Sequence, residues 1–377
     1  MNVLFLSYYF PQKEGGPTAL LFSILNSIPE GHSVDYAVLN EDAPNSCIPE
    51  RVHFIPWSNL SVRTKKHFSL IPKSIDLRKN FRNHYIDVDK YDAIVFYTYN
   101  LSLIHLISNH AKIYTIGMDS APMLYLRGFL SHRKLKLKLF CLYEFFSALS
   151  IDKYVSSISS CVFTVGSDDA NFYHSLYKVP AIFIPHPYNA LLERIEKTRD
   201  WEADEKLKIC IPGGITYFYT GDLLNEIFDN FIKQPEYAEK IEFSFLGKIR
   251  FNSLQNKIKE LKNKGYMFTT QAFVDNFEGY MASQHIILLP VLVGAGTKNR
   301  CISAAAMGLD ILGTPIATEN VYGIQTENIA INAEDFFAKI KKRLNEHRLF
   351  QVKNPQKVRE NHLNILWKER FWQIVFN

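Results

Sequence analysis

Residues 276–324 read NFEGYMASQHIILLPVLVGAGTKNRCISAAAMGLDILGTPIATENVYGI, and the punctuation inside this stretch decides the fold. The apolar run that ends at Pro290 and Val291 is a buried strand, too short for a helix and closed by residues that stop it. Gly294 and Gly296 follow, and Thr297, Lys298, Asn299 and Arg300 then open an Ala-rich helix that stops at Gly308. Glycine lets a backbone approach a ligand closely, and a helix start offers unpaired N–H groups with a partial positive charge. Lys298 and Arg300 add cations, so strand, loop and helix start together form an anion cradle suited to a diphosphate. A plain tight turn would also account for the two glycines, and the pair alone leaves both readings open.

The same rhythm extends on either side. Upstream in this half lie the runs KICIPGG (208–214), IEFSFLG (241–247), MFTTQAF (267–273) and HIILLPV (285–291), and downstream LDILGT (309–314). Helices are expected from about Asp222, Ser253 and Lys298, with a helical stretch at the C-terminus. The first half gives seven more strands: VLFLSYY (3–9), SVDYAVL (33–39), VHFIPW (52–57), AIVFYTY (93–99), KIYTIGM (112–118), SCVFTVG (160–166) and AIFIPH (181–186). Strands alternating with helices predict α/β architecture with parallel sheets. The charged, aperiodic stretch ALLERIEKTRDWEADEKLK after Asn189 reads as a connector. The expectation is two Rossmann-like, doubly wound domains, 1–191 and 192–377, with the last helix free to cross back to the first. They would face a central cleft at the carboxyl ends of their strands, where such sheets bind ligands.

Composition narrows the class. A chain of 377 residues exceeds what one core usually organises, and 47% hydrophobic residues, with 28 Phe and 20 Tyr, exclude a disordered chain. Five scattered cysteines, none in C-x-x-C, suggest neither a disulfide framework nor structural zinc, which fits a reducing cytoplasm. The start MNVLFLSYYFPQ has no basic region before its apolar run and meets Pro11 too early for a signal segment or a membrane span. A net charge of +5 is small for this length and does not call for nucleic acid.

The 276–324 stretch resembles the donor-side motif of GT-B glycosyltransferases, specifically the large retaining family called family 4. Pro290, Gly294, Gly296, Lys298, Arg300, Ala306, Gly308, Thr314, Pro315 and Gly323 occupy the places of that motif. The likeness extends to FLSYYFPQKEGGPT, where Gly15 and Gly16 sit in the first strand-to-helix loop, as in the family beside donor phosphates and acceptor. It reaches SCVFTVGSDDANFY and IPHPYN, and the Asp119-Ser120 pair looks like that of subgroups with bacterial surface-polysaccharide roles. The resemblance implies that a nucleotide-diphosphate sugar, a co-substrate and not a cofactor, binds the second domain. Phe273 and Val274 would meet the base, Ser303 the ribose, and Gly214, Lys248 and the Gly294–Arg300 loop the diphosphate. The first domain would present a glycan or lipid-linked acceptor through Gly15, Gly16, Thr18 and Ser120, with Asp119 as the catalytic carboxylate orienting the acceptor hydroxyl. Asp119 would equally serve as an N-cap of the following helix.

The chain also departs from that pattern. Ser303 stands where the family usually has a Glu that holds the ribose hydroxyls, and Ala295 falls on the place of its upstream partner. A serine offers fewer and weaker bonds than a carboxylate. GGITYFYTGD lacks the Arg and Lys usually aimed at the diphosphate, leaving Lys248, Lys298 and Arg300 to supply charge. No metal site is expected: Asp87-Val88-Asp89 has D-x-D spacing but precedes a strand, and the twelve histidines show no ligand spacing. Asp168 and Asp169, being adjacent, point apart on a helix, and His186 reads as structural.

Two basic runs remain. Arg63–Lys90 carries eight cations against three acids, and Arg127–Lys138 five against none. They suit either an ordinary solvated surface or contact with an anionic membrane face. Neither forms a nucleic-acid reader. Two other functions stay open beside the transferase: a catalytically degenerate binding subunit and, less favoured, a sugar-nucleotide epimerase.

Overall fold

The computed structural model describes residues 1–13, 17–38, 48–56, 62–64, 84–86, 88, 90–98, 105–106, 110–117, 119–187, 201–202 and 204–377. They form two compact units. The first comprises Met1–Met123, Leu142–Pro187 and His362–Asn377, and the second Leu124–Cys141 and Tyr188–Asn361.

The first unit contains β1 (Val3–Ser7), β2 (Val34–Val38), β3 (Val52–Pro56), β4 (Ala93–Tyr97), β5 (Lys112–Ile116), β6 (Cys161–Thr164) and β7 (Ala181–Phe183). They are the seven runs read as strands, and they make one parallel sheet in the order β7-β6-β5-β4-β1-β2-β3. Every residue of β1 and β4 is buried, as a parallel sheet covered on both faces requires. A small sheet of Val62–Thr64, His84–Ile86 and His105–Leu106 stands apart from it.

Helix α1 (Pro17–Asn26) turns Leu20, Leu21, Ile24 and Leu25 inward, one apolar stripe at helical spacing. Further on come α2 (Ala121–Ser131), α3 (Leu135–Ile158) and α4 (Ser167–Tyr177). Most of α2 and the start of α3 fall in the second unit. The chain's last turns, Trp367–Trp372 and Gln373–Phe376, pack into the first unit's core. There the Trp372 indole N–H donates to the Ile24 carbonyl at 2.8 Å, and Phe371 meets Phe163 edge-on at 4.7 Å.

In the second unit β8 (Leu207–Pro212), β9 (Ile241–Leu246), β10 (Met267–Gln271), β11 (Ile286–Leu289) and β12 (Asp310–Gly313) form a parallel sheet in the order β10-β9-β8-β11-β12. Helices α5 (Leu223–Ile232), α6 (Asn252–Asn263) and α8 (Ala333–Glu346) cover one face, where Phe228, Phe231, Phe243, Phe268 and Phe336 cluster. The other face takes α7 (Asn299–Ala306), whose Ala304, Ala305 and Ala306 let it lie close over Ile287, Leu289 and Ile311. Strand order reverses between β8 and β11, so their carboxyl ends open the crevice in which such sheets bind ligands. These two doubly wound parallel sheets are the fold class expected from the sequence.

Candidate functional site

Three loops meet at the carboxyl edge of the second sheet. After β8, Gly213 has φ 98°, and its N–H donates to the Leu246 carbonyl. After β9, Gly247 has φ 139°, and a Cβ built on it would stand 2.4 Å from the Gly213 carbonyl carbon. Backbone therefore rests on backbone, which only glycine permits at both places. After β11, the loop of residues 290–298 is tied to the first by Leu292 and Val293, whose N–H groups donate to the Tyr219 carbonyl at 2.8 and 3.1 Å.

Helix α7 begins at this junction with Lys298 as its N-cap residue, whose side chain does not cap it. Its second residue, Arg300, is half-buried, with the guanidinium lying on Gly213: a Cβ there would come within 1.8 Å of Cζ. Burial lowers the Arg300 pKa, an effect the nearby Tyr219 opposes. Among the described residues no carboxylate pairs with Arg300. Ser303 lies three residues on, on the same helical face, half-buried. A half-buried cation beside free helical N–H groups and a glycine platform is what an anionic ligand needs.

Lys298 is not directed outward: its ammonium donates to the Ala295 and Gly296 carbonyls at 2.9 and 2.6 Å and pairs with Glu319 at 3.0 Å. Gly294 and Thr297 are buried with Gly296, and Asn299 opens α7 half-buried. Gly294 accommodates the returning Lys298, since a Cβ there would come within 2.6 Å of Cε. Gly214 and Lys248 are exposed at the ends of the first and second loops. Phe273, just past β10, is 80% exposed, whereas Val274 packs on the sheet face that carries α7. Thr314 accepts from the Ala317 N–H at 3.1 Å and donates to the Val291 carbonyl, so the Thr-Pro step caps one helical turn and pins the loop. Gly213, Gly247, Tyr219 and Glu319 are not among the residues the sequence points to, and Arg127 enters there only as the start of a basic run. The adjacent Gly213-Gly214 pair was the signal present for the first of them.

In the first unit, Gly15, Gly16, Asp87 and Asp89 lie outside the described residues, as does most of the Arg63–Lys90 run. Thr18 is half-buried on α1, and its carbonyl accepts from the Gln12 N–H at 3.2 Å. Asp119 is exposed just past β5, and its charge adds to the burial that raises the pKa of Tyr97, the larger cause. It is Ser120 that caps α2, its hydroxyl accepting from the Met123 N–H at 3.4 Å. The Ser120 N–H donates to Asp169 at 2.6 Å. Asp169 is buried and Asp168 exposed, so the two do diverge. His186 is buried, its pKa pushed down to about 4 by burial, and its carbonyl accepts from His362 at 2.7 Å. Among the described residues no group of three or more His, Cys, Asp or Glu is placed to hold a metal ion, and no helix is long and apolar enough to cross a membrane.

Asp152 on α3 had no signal in the sequence. It is fully buried, and burial pushes its pKa up to about 8, with the Tyr173 hydroxyl opposing and the charge of Asp169 reinforcing. The folded chain therefore keeps this proton from the ordinary carboxylate range up to pH 8, while the unfolded chain loses it near pH 4. Stability consequently falls as pH rises across that window and levels off above it. Asp152→Asn is expected to remove this slope and to raise the melting temperature at pH 8, measured by thermal denaturation from pH 5 to 9.

No family model and no curated protein matches the sequence. Solved structures do. Sucrose-phosphate synthase from Thermosynechococcus elongatus is similar over 100% of this chain and 95% of its own, at 13% identity and a TM-score of 0.62. Anabaena HepE, solved in complex with UDP, covers 100% of both chains at 10% identity and a TM-score of 0.61. The lipopolysaccharide outer core galactosyltransferase WaaB covers 100% of this chain and 99% of its own, at 9% identity and a TM-score of 0.58. Two parallel doubly wound sheets in series, matched along their whole length by these enzymes, give the chain the GT-B glycosyltransferase fold.

Proposed function

We propose that this chain is a metal-independent hexosyl- or related glycosyltransferase of the family 4 type. It moves a sugar from a nucleotide-diphosphate donor to a hydroxyl of a glycan or lipid-linked oligosaccharide, with retention, in the assembly of a surface polysaccharide. The observation that carries the reading is Arg300, held on Gly213 at the start of α7 with no carboxylate among the described residues to neutralise it. The UDP bound by HepE supports a nucleotide donor.

In the reaction the acceptor oxygen bonds to the anomeric carbon as the bond from that carbon to the diphosphate oxygen breaks. The acceptor proton passes to the departing phosphate. Arg300 and the α7 N–H groups stabilise the negative charge that builds on the diphosphate, a preorganised field needing no reorganisation during the step. Exposed Phe273 offers the base a stacking face, and Ser303 lies along α7 for the ribose. Acceptor binding is assigned to the first unit, where Asp119 orients the hydroxyl.

Contact with the inner face of an anionic membrane is part of the same proposal. Leu130, Leu135, Leu139 and Phe140 are exposed among Arg133, Lys134, Lys136 and Lys138, which pairs apolar anchors with cations. A catalytically degenerate subunit is the second reading, favoured by Ser303 and by the commitment of Lys298 to Glu319.

Thermal stabilisation by a panel of nucleoside diphosphates and their sugars tests the proposal. A ligand at 100 times its Kd stabilises by about 2.7 kcal/mol. A selective shift is expected, and release of the sugar from the same donor separates an enzyme from a binding subunit. No shift with any nucleotide rejects the donor site.

A further inference from the structure

Helix α2 runs alongside the glycine loop of the second unit and touches three successive residues of it. The Ser131 hydroxyl donates to the Leu292 carbonyl at 3.3 Å. Gly128 faces Val293, where a Cβ would lie at an ordinary 3.5 Å from a valine methyl; the same Cβ would come within 2.7 Å of the Cys141 sulfur, so glycine here lets α2 lie close against α3. Arg127 donates to the Gly294 carbonyl at 2.7 Å and grips Glu319 with both arms of its fork, at 3.0 and 2.9 Å. Glu319 also holds Lys298, whose ammonium closes the loop through Ala295 and Gly296. Arg127 and Lys298 thus converge on Glu319, in a network that ties down the loop from Gly294 to Lys298.

The arrangement also sets charge. Arg127, Lys298 and Arg300 bring three cations, Glu319 one carboxylate, and three minus one leaves two positive charges. The pyrophosphate of a nucleotide-diphosphate sugar carries two negative charges. The Arg127 and Glu319 side chains are 20% and 12% exposed, so water screens this pair little. Without Arg127, Glu319 would cancel Lys298 outright, the surplus would fall to one, and the Gly294 carbonyl would lose its donor.

We propose that Arg127 is a positioning residue for the diphosphate, acting through the Gly294 carbonyl and Glu319 on the shape and charge of the loop. The inference deepens the donor-site reading above and rests on it. Its signature is selectivity: the loop serves the diphosphate as a unit, so losing Arg127 weakens diphosphates more than monophosphates of the same nucleoside. A general loss of packing would weaken both alike.

The test uses the full chain as wild type, Arg127→Ala and Arg127→Lys, titrated calorimetrically with uridine, guanosine and adenosine diphosphates and the matching monophosphates. Amide exchange across residues 292–298 is followed without ligand. Arg127→Ala is expected to lose about tenfold or more in affinity for the preferred diphosphate, much less for its monophosphate, and to exchange faster across the loop. Arg127→Lys keeps the charge without the fork and is expected to recover part of the loss, and it stands in should Arg127→Ala fail to fold. Wild-type affinity with unchanged exchange in Arg127→Ala overturns the role, as does an equal loss for both phosphates. Failure of the wild type itself to bind any diphosphate overturns the donor reading and this role with it, and the wild-type titration alone identifies that case.

Discussion

Asp310→Ala destabilises the second unit by about 3 to 5 kcal/mol, the range for breaking one side of a buried ion pair. Asp310 opens β12 and is fully buried against Arg343 of α8, itself fully buried. The pair is bidentate, Nε and Nη2 of Arg343 each donating at 2.7 Å to a different carboxylate oxygen. The Phe350 N–H adds a third bond at 2.7 Å. Removing the carboxylate strands a guanidinium and an amide in a low-dielectric core, and it is this uncompensated charge that costs so much. Replacing both residues with apolar ones, as in Asp310→Leu with Arg343→Met, is expected to recover most of the loss. Urea denaturation of both variants measures it, and a loss under 1 kcal/mol for Asp310→Ala would contradict the burial.

Arg300→Ala is expected to lower turnover by about a hundredfold or more, as removal of one preorganised donor to a developing oxyanion does. Its local stability effect is expected to be small, because no carboxylate among the described residues would be stranded with it. Gly213→Ala approaches the same state by another route. The new methyl meets the guanidinium where it lies and strains a residue at φ 98°, so Arg300 must move. A loss of turnover shared by both variants, against a near-native melt for Arg300→Ala, places the effect on the cation. Unchanged kinetics in Arg300→Ala would remove it from the reaction.

The central strands were legible because parallel strands buried on both faces are continuous apolar runs closed by turn residues, and the more exposed outer strands by their β-rich runs and flanking turns. Their carboxyl ends were not. KICIPGG reads as strand through Gly214, whereas β8 stops at Pro212 because Gly213 turns to positive φ; MFTTQAF reads as strand to Phe273, whereas β10 stops at Gln271 and leaves that ring exposed. The overrun falls where strand gives way to the loops at the carboxyl edge of the sheet. The glycine loop and basic helix start were equally plain, since their elements are contiguous in the chain.

The division of labour between the cations was hidden. Glu319, 21 residues beyond Lys298, takes that charge, and Arg127, 192 residues from Glu319, shares it. Nothing in local sequence announces a partner so remote. The Asp310–Arg343 pair stayed hidden for the same reason, as an acid at the start of an apolar strand reads as a boundary. Asp152 is hidden differently, since burial of one helix position depends on packing the sequence does not display.

In the proposed donor site, the edge where β8, β9 and β11 end holds a nucleoside diphosphate through Gly213, Arg300 and the start of α7. Amide hydrogen exchange with and without a saturating nucleotide-diphosphate sugar tests it most directly, since bound phosphates must cover those N–H groups. Protection confined to residues 213–216 and 294–302, and absent in Arg300→Ala, is the expected result. Binding that leaves both segments exchanging as in the free chain would place the nucleotide elsewhere.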